Sequence, residues 1–182
     1  MSASPASSPR GAAREENIGM QLPVDVPAAM IPDPTPPRGA AAAIIVTPDE
    51  RYLLQHRDDT PGIWFPGFWG LFGGAIDDGE TPAAALAREL AEELDLHPPR
   101  MAYFTQIGFD LRCWGLGIRL RYTFEVPLAE SEIRRLVLRE GQAMRLYTVD
   151  ELLREPRLTP YDSHALRLHV TRSEIERARD IA

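Results

Sequence analysis

The chain has 182 residues, 44% hydrophobic and 26% charged, with a net charge of −7; this suits one domain with its own core and is too short for two of ordinary size. The composition is that of a globular protein rather than a disordered or membrane one, and no stretch approaches the roughly 20 apolar residues that span a bilayer. The acidic balance speaks against a protein that grips nucleic acid polymers through their phosphates, although an acidic cluster holding a divalent cation presents a positive centre to a phosphate.

Residues 1–39 contain eight of the 17 prolines and show neither helical nor strand periodicity. They read as a disordered or extended tail, with Met20–Met30 as an apolar run able to lie along the domain surface. The opening MSASPASSPRGAAREE lacks a continuous apolar segment for secretion, and its prolines argue against a targeting helix, so a cytoplasmic protein is expected. The single cysteine, Cys113, cannot form an intramolecular disulfide and is expected as a small half-buried strand residue.

Order is expected from Ala40 to the C-terminus. Ala43–Val46 and Tyr52–Leu54 read as a hairpin around a Thr-Pro-Asp-Glu turn. The following DDTPGIWFPGFWGLFGG is too rich in glycine and proline for a helix, and should be a loop leading to a short strand near Trp69–Phe72. Thr81 and Pro82 start a helix: the hydroxyl caps free amides and proline costs no bond in the first turn. AAALARELAEEL continues it with high propensity to about Leu94, where Asp95 and His97-Pro98-Pro99 stop it. Met101–Arg112 and Leu116–Val126 read as strands, as does Met144–Tyr147. Thr148 with Glu151 forms a capping box, and a last helix is expected over Ser163–Arg179. The succession predicts an α/β fold, a three-layer α/β/α sandwich around a mixed β-sheet.

The central helix carries the chemistry. At about 100° per residue, Glu89, Glu92 and Glu93 fall on one side, whereas Ala83, Leu86, Ala87, Leu90 and Leu94 fall on another. Like charges at this spacing cost a helix about 0.2–0.5 kcal/mol per pair, and near the C-terminal end the macrodipole also disfavours anions. Such a stripe is either a plain solvated face or the ligand set of a hard divalent cation. The second reading gains from Phe72-Gly73-Gly74 just upstream, where glycine lets a backbone carbonyl approach the same cation. Magnesium, with its near-octahedral oxygen ligation, suits several carboxylates, one carbonyl and a phosphate oxygen.

The run Gly74, Glu80, Arg88, Glu89, Leu90, Glu92, Glu93, Leu96 resembles the Nudix box, G-x5-E-x7-R-E-U-x-E-E-x-G-U with U a bulky aliphatic residue. One defined position departs: Asp95 stands where the family has glycine, a tolerable change if the residue serves as a left-handed helix exit. The resemblance extends over most of residues 40–170 and implies a Nudix-type (MutT-like) hydrolase fold. It implies that Glu89, Glu92, Glu93 and the Gly73 carbonyl hold Mg2+, or Mn2+ in its place, with Glu89 and Glu92 catalytic and Glu89 foremost in activating the attacking water. Glu80 and Arg88 become a structural ion pair. Farther on, Glu140-Gly141-Gln142 is similar to a segment of MutT-type members in which the glutamate is a further metal ligand or general base; a plain solvated turn explains the three residues as well.

Arg57 resembles the arginine that faces substrate phosphates in MutT-like members, or is a surface cation. Among Trp64, Phe65, Phe68, Trp69 and Phe72, core packing is expected for three, with Trp69 and Phe72 beside the substrate. His56, His97, His164 and His169 show no metal-ligand spacing and are assigned no chemistry. The function implied is hydrolysis of a diphosphate linkage in a nucleoside diphosphate-X type small molecule, without nucleic acid polymer or membrane, and with a homodimer conceivable. The alternative is a Nudix-fold module that binds a nucleotide without hydrolysing it, against which the intact glutamates argue. An isoprenoid diphosphate isomerase would need a reactive cysteine and a histidine metal site, which the sequence does not display.

Overall fold

The computed structural model describes residues 38–114 and 117–181. The proline-rich segment expected as a tail lies outside them, apart from its last two residues. These already belong to the first strand, β1 (Arg38–Val46), so the sheet starts just before the expected Ala40. Then follow β2 (Tyr52–His56), β3 (Trp69–Gly70), α1 (Pro82–Leu94), β4 (Ala102–Asp110), β5 (Ile118–Pro127), α2 (Glu130–Ile133), β6 (Ala143–Tyr147), α3 (Val149–Arg154) and α4 (Pro160–Ile181).

The sheet is mixed, in the order β3-β2-β1-β5-β4, with β6 also on β2. β1 and β5 run parallel, from Arg38 beside Arg119 to Val46 beside Pro127; all other strand pairs are antiparallel. The expected hairpin is present, its turn closed by the Thr47 N–H on the Arg51 carbonyl (2.9 Å). β6 pairs with β2 from Tyr52 to His56 and so occupies one edge of that strand completely. The other edge is shared, with β1 at Tyr52 and Leu53 and β3 at Gln55 and His56. The chain after β3 then crosses to β1, where the Ala43 and Ala41 amides donate to the Phe72 and Gly74 carbonyls (both 2.9 Å). Residues 69–75 therefore form a wedge where β1 and β2 part.

Side chains of β1 alternate between two cores, as a strand buried on both faces must. Ala41, Ala43 and Ile45 join Leu53, Phe72, Leu86, Leu90 and Leu94 under α1. Ala42, Ile44 and Val46 join Tyr52, Leu54, Leu71, Leu166 and Val170 under α4. On the α4 side, Asp162 is 1% exposed and accepts from the Leu71 amide (2.9 Å), the Thr159 hydroxyl (2.9 Å) and Arg121 Nε (3.0 Å), pinning α4 to the sheet. Buried His169 lies 3.0 Å from the Tyr52 hydroxyl and 3.2 Å from Glu125, linking α4 to β2 and β5.

Three local readings are corrected. Phe72 is fully buried in the α1 core, because its carbonyl pairs with β1 and turns the ring inward; it cannot lie against a substrate. Cys113 is exposed in a short 3-10 turn, Arg112–Trp114, rather than half-buried in a strand, since the strand expected to Arg112 stops at Asp110, where the carboxylate accepts from the Arg112 amide (3.1 Å). The last helix begins at Pro160, three residues before the expected Ser163, since Thr159 and Asp162 bind each other across its first turn. Among the described residues, no helix is long and apolar enough to cross a membrane.

Candidate active site

Helix α1 has the expected bounds. The Thr81 hydroxyl accepts from the Ala84 amide (3.2 Å), Pro82 fills the first turn, and Asp95 leaves in the left-handed conformation (φ 55°, ψ 34°). Leu86, Leu90 and Leu94 are fully buried, each stabilising the packing by about 1.5–3 kcal/mol relative to exposure. With that stripe fixed inward, the glutamates stand at the margin where α1 meets the wedge.

The three glutamates differ sharply. Glu92 is exposed, whereas Glu93 is only 4% exposed and accepts from the Gly73 amide (2.8 Å) through Oε2. Burial, chiefly, pushes the Glu93 carboxyl up to about 8; the Gly73 bond opposes this, and the negative charges of Glu140 and Glu89 add to it. Glu89 is also raised, first by burial, with the Arg88 guanidinium opposing and the charges of Glu92 and Glu140 adding. Glu140 thus lies within electrostatic reach of both.

Two glycines shape the opposite wall. Gly73 has φ +120°, and a Cβ there would stand 2.3 Å from the Ala41 carbonyl oxygen, so only glycine permits this approach to β1. At Gly74 a Cβ would fall 2.4–2.6 Å from the Glu89 carboxylate, which occupies that space instead. Among the described residues, the Gly73 carbonyl oxygen accepts no hydrogen bond.

Arg88 forms the expected pair with Glu80, through Nε and Nη2 (both 3.1 Å), and also holds the Ala75 carbonyl (3.0 Å). Its Nη1 reaches Glu89 (2.8 Å) and Glu92 (3.3 Å) as well. The arginine therefore ties loop to helix and also neutralises the carboxylates.

Among the described residues, no three His, Cys, Asp or Glu side chains converge closely enough to hold an ion as they stand. The hydrogen bonds give the reason: Glu89 and Glu92 turn to Arg88, and Glu93 to the Gly73 amide. The donor set nevertheless suits a hard divalent cation, because all its members are oxygen and Glu89 and Glu93 lie against the Gly73-Gly74 turn, whose Gly73 carbonyl accepts no hydrogen bond among the described residues.

Of the expected substrate contacts, Arg57 and Trp69 lie on paired segments, with the Arg57 amide on the Phe68 carbonyl (2.9 Å) and His56 opposite Trp69, while Phe72 is buried on the α1 side. Arg57 donates from Nε to the Trp64 carbonyl (3.0 Å) within the loop after β2. Trp69 is half-buried on the α4 side, tilted on His56 (4.7 Å between centroids) and edge-on to Tyr147 (5.4 Å). Trp64, expected in the core, is 42% exposed. Sequence reasoning missed Gln55, Arg139 and the consequence of Asp95. Gln55 is 3% exposed, and its signal was a polar residue two places after buried Leu53, hence on the α1 face. Arg139 pairs with Asp95 (2.9 Å), so the residue replacing the box glycine gains a partner of its own.

Comparison with known proteins adds the following. The family model described as NUDIX domain matches residues 36–168. A putative 8-oxo-dGTP diphosphatase 2 of Mycobacterium tuberculosis is 51% identical over 68 residues, covering 37% of this chain and 48% of that protein. The nucleoside triphosphatase NudI of Escherichia coli is 44% identical over 50 residues, covering 28% and 35%. The chain thus spans less than half the length of either curated relative. Among solved structures, the ORF135 protein of E. coli superposes with a TM-score of 0.60 at 26% identity, covering 74% of this chain and 89% of that one. The NUDIX domain of Shewanella oneidensis NrtR, solved with ADP ribose, has a TM-score of 0.60 at 20% identity, covering 79% and 93%.

Proposed function

Because the chain belongs to the Nudix family, we propose that it is a magnesium-dependent hydrolase of diphosphate linkages in nucleoside diphosphate-X compounds. The observation that carries this reading is the placing of Glu89 and Glu93 on one margin of α1, Glu93 on the Gly73 amide and Glu89 in the space a Cβ of Gly74 would fill, with burial and neighbouring negative charge raising the proton affinity of both. Carboxylates crowded in this way resist ionisation together, and a divalent cation relieves the repulsion.

In this reading Glu89, Glu92, Glu93, Glu140 and the Gly73 carbonyl hold the metal. When bound, the metal supplies positive charge to the phosphate oxygens and lowers the pKa of water. Glu89, sheltered beside Gly74 and raised by burial, accepts the proton of the attacking water, and Glu92 supports it from the exposed side. The Gly73 amide keeps Glu93 in one orientation. Arg88 and Glu80 hold the loop and helix in register, and the charge of Arg88 offsets the carboxylates before metal arrives. Arg57 and Trp69 remain the proposed substrate contacts.

The names of the relatives make nucleoside triphosphates the first substrates to try. The test is phosphate or nucleotide release from nucleoside triphosphates, nucleotide sugars, dinucleoside polyphosphates and ADP-ribose, with magnesium and with chelator, beside Glu89→Gln. Metal-dependent turnover of one class, lost in the variant, is the expected result. The likeness to the NrtR domain supports a second reading, a nucleotide-binding module; magnesium-dependent binding without turnover of any compound would favour it.

A further inference from the structure

The side chain that holds Glu140 in place lies on a strand with no part in the Nudix box. We infer that Gln55 is a positioning residue: from the buried end of β2, its amide holds the main chain of Glu140, setting that residue next to the C-terminal end of α1, where the preceding amide holds the Glu93 carbonyl. The inference rests on the hydrolase reading above and adds a residue to it.

Gln55 Nε2 donates to the Glu140 carbonyl (3.1 Å). The next residue, Gly141, has φ +84°, and a Cβ there would fall 2.8 Å from Gln55 Cγ and 2.9 Å from the His56 carbonyl oxygen. The glycine therefore lets the glutamine lie flat beneath the turn. Gln142 completes the attachment, with its backbone amide on the His56 carbonyl (2.8 Å) and its Nε2 on the Arg57 carbonyl (2.9 Å). On the other flank, the Val137 and Arg139 amides donate to the Leu94 and Glu93 carbonyls (3.1 and 2.8 Å), and Arg139 pairs with Asp95. Residues 137–142 thus bridge the C-terminal end of α1 and the end of β2, with Glu140 in the span between them.

A buried amide is costly unless its hydrogen bonds are made, and an apolar side chain at this position would bury the same surface without that cost. The backbone bonds and the pairing of β6 with β2 already anchor the segment. What Gln55 adds is the setting of the peptide that carries the Glu140 side chain. The neighbouring Arg139 amide sits on the Glu93 carbonyl (2.8 Å), so the setting of this peptide is made directly beside the end of α1 that carries Glu93.

The test is a double-mutant cycle on binding of Mn2+ alone, read by the electron paramagnetic resonance of the free ion. Gln55→Met, unbranched and of similar length, should weaken Mn2+ binding by about tenfold or more, the size of effect seen when second-layer partners of metal ligands are removed. Glu140→Gln should also weaken it, and adding Gln55→Met to Glu140→Gln should cost nothing further. Normal Mn2+ affinity in Gln55→Met, or losses that multiply in the double variant, would overturn the inference and leave the hydrolase reading intact. Failure of the unmodified protein to bind Mn2+ would instead sink that reading and the inference with it. If Gln55→Met does not fold, as judged by its melting curve, Gly141→Ala disturbs the same contact from the other side. It must show the same loss, likewise absent in the Glu140→Gln background.

Discussion

Glu93→Gln should change how the stability of the metal-free protein depends on pH. The carboxyl is held near 8 against an ordinary 4.5, so between these values the folded state keeps a proton that the unfolded state has released. A raised carboxyl contributes stability that is fully present below pH 4.5 and is lost as pH rises through about 8. At about 1.36 kcal/mol per pH unit, the loss approaches about 5 kcal/mol as an upper bound. Glutamine keeps an acceptor for the Gly73 amide but carries no proton to lose. Urea unfolding in chelator at intervals from pH 5 to pH 9 should show the native protein weakening relative to the variant, and saturating magnesium should flatten the difference. Parallel curves for the two proteins without metal would show that Glu93 ionises freely and that the crowded-carboxylate argument is wrong.

Gly74→Ala should leave the melting temperature nearly unchanged while lowering kcat by about 10²-fold, because the new methyl displaces the Glu89 carboxylate from its place; steady-state kinetics beside a melting curve separates the two effects. Asp162→Ala strands Arg121 and the Leu71 amide on the α4 side, and should cost about 3–5 kcal/mol in urea unfolding; a loss below about 1 kcal/mol would mean that α4 is held by apolar packing alone. Thr81→Ala removes the cap of α1 and should cost about 0.5–2 kcal/mol, with Mn2+ affinity unchanged because the glutamates lie in the helix's far half.

Much of the site was legible because its central element is governed by local rules. Thr81, Pro82 and the leucine stripe fix both the limits of α1 and its buried face, which leaves Glu89, Glu92 and Glu93 on the margin. A helical projection could not tell them apart. Glu93 is buried by the Gly73 turn and by the 137–142 segment, which reach it from separate parts of the chain. The same limit explains Phe72: its aromatic surroundings suggested a pocket, but its direction is set by pairing with Ala43 across the sheet. Glu140 and Gln55 lie 85 residues apart along the chain, so no local pattern could join them. Helix α2 went unseen because it is a four-residue turn whose cap position is an alanine.

The wedge of residues 69–75 has a consequence for how the catalytic end breathes. Because Phe72 and Gly74 are laced to β1 and the Gly73 amide is closed by a buried carboxylate, freeing this turn requires prying the wedge from β1, the strand that feeds both cores. Its amides should therefore exchange with solvent as slowly as those of the sheet centre, whereas the exposed residues 60–64 should exchange freely. On the proposed function, the Gly73 side of the site should act as a rigid anvil, and the loop that carries Trp64 should be the part left free to adapt to differently shaped substrates.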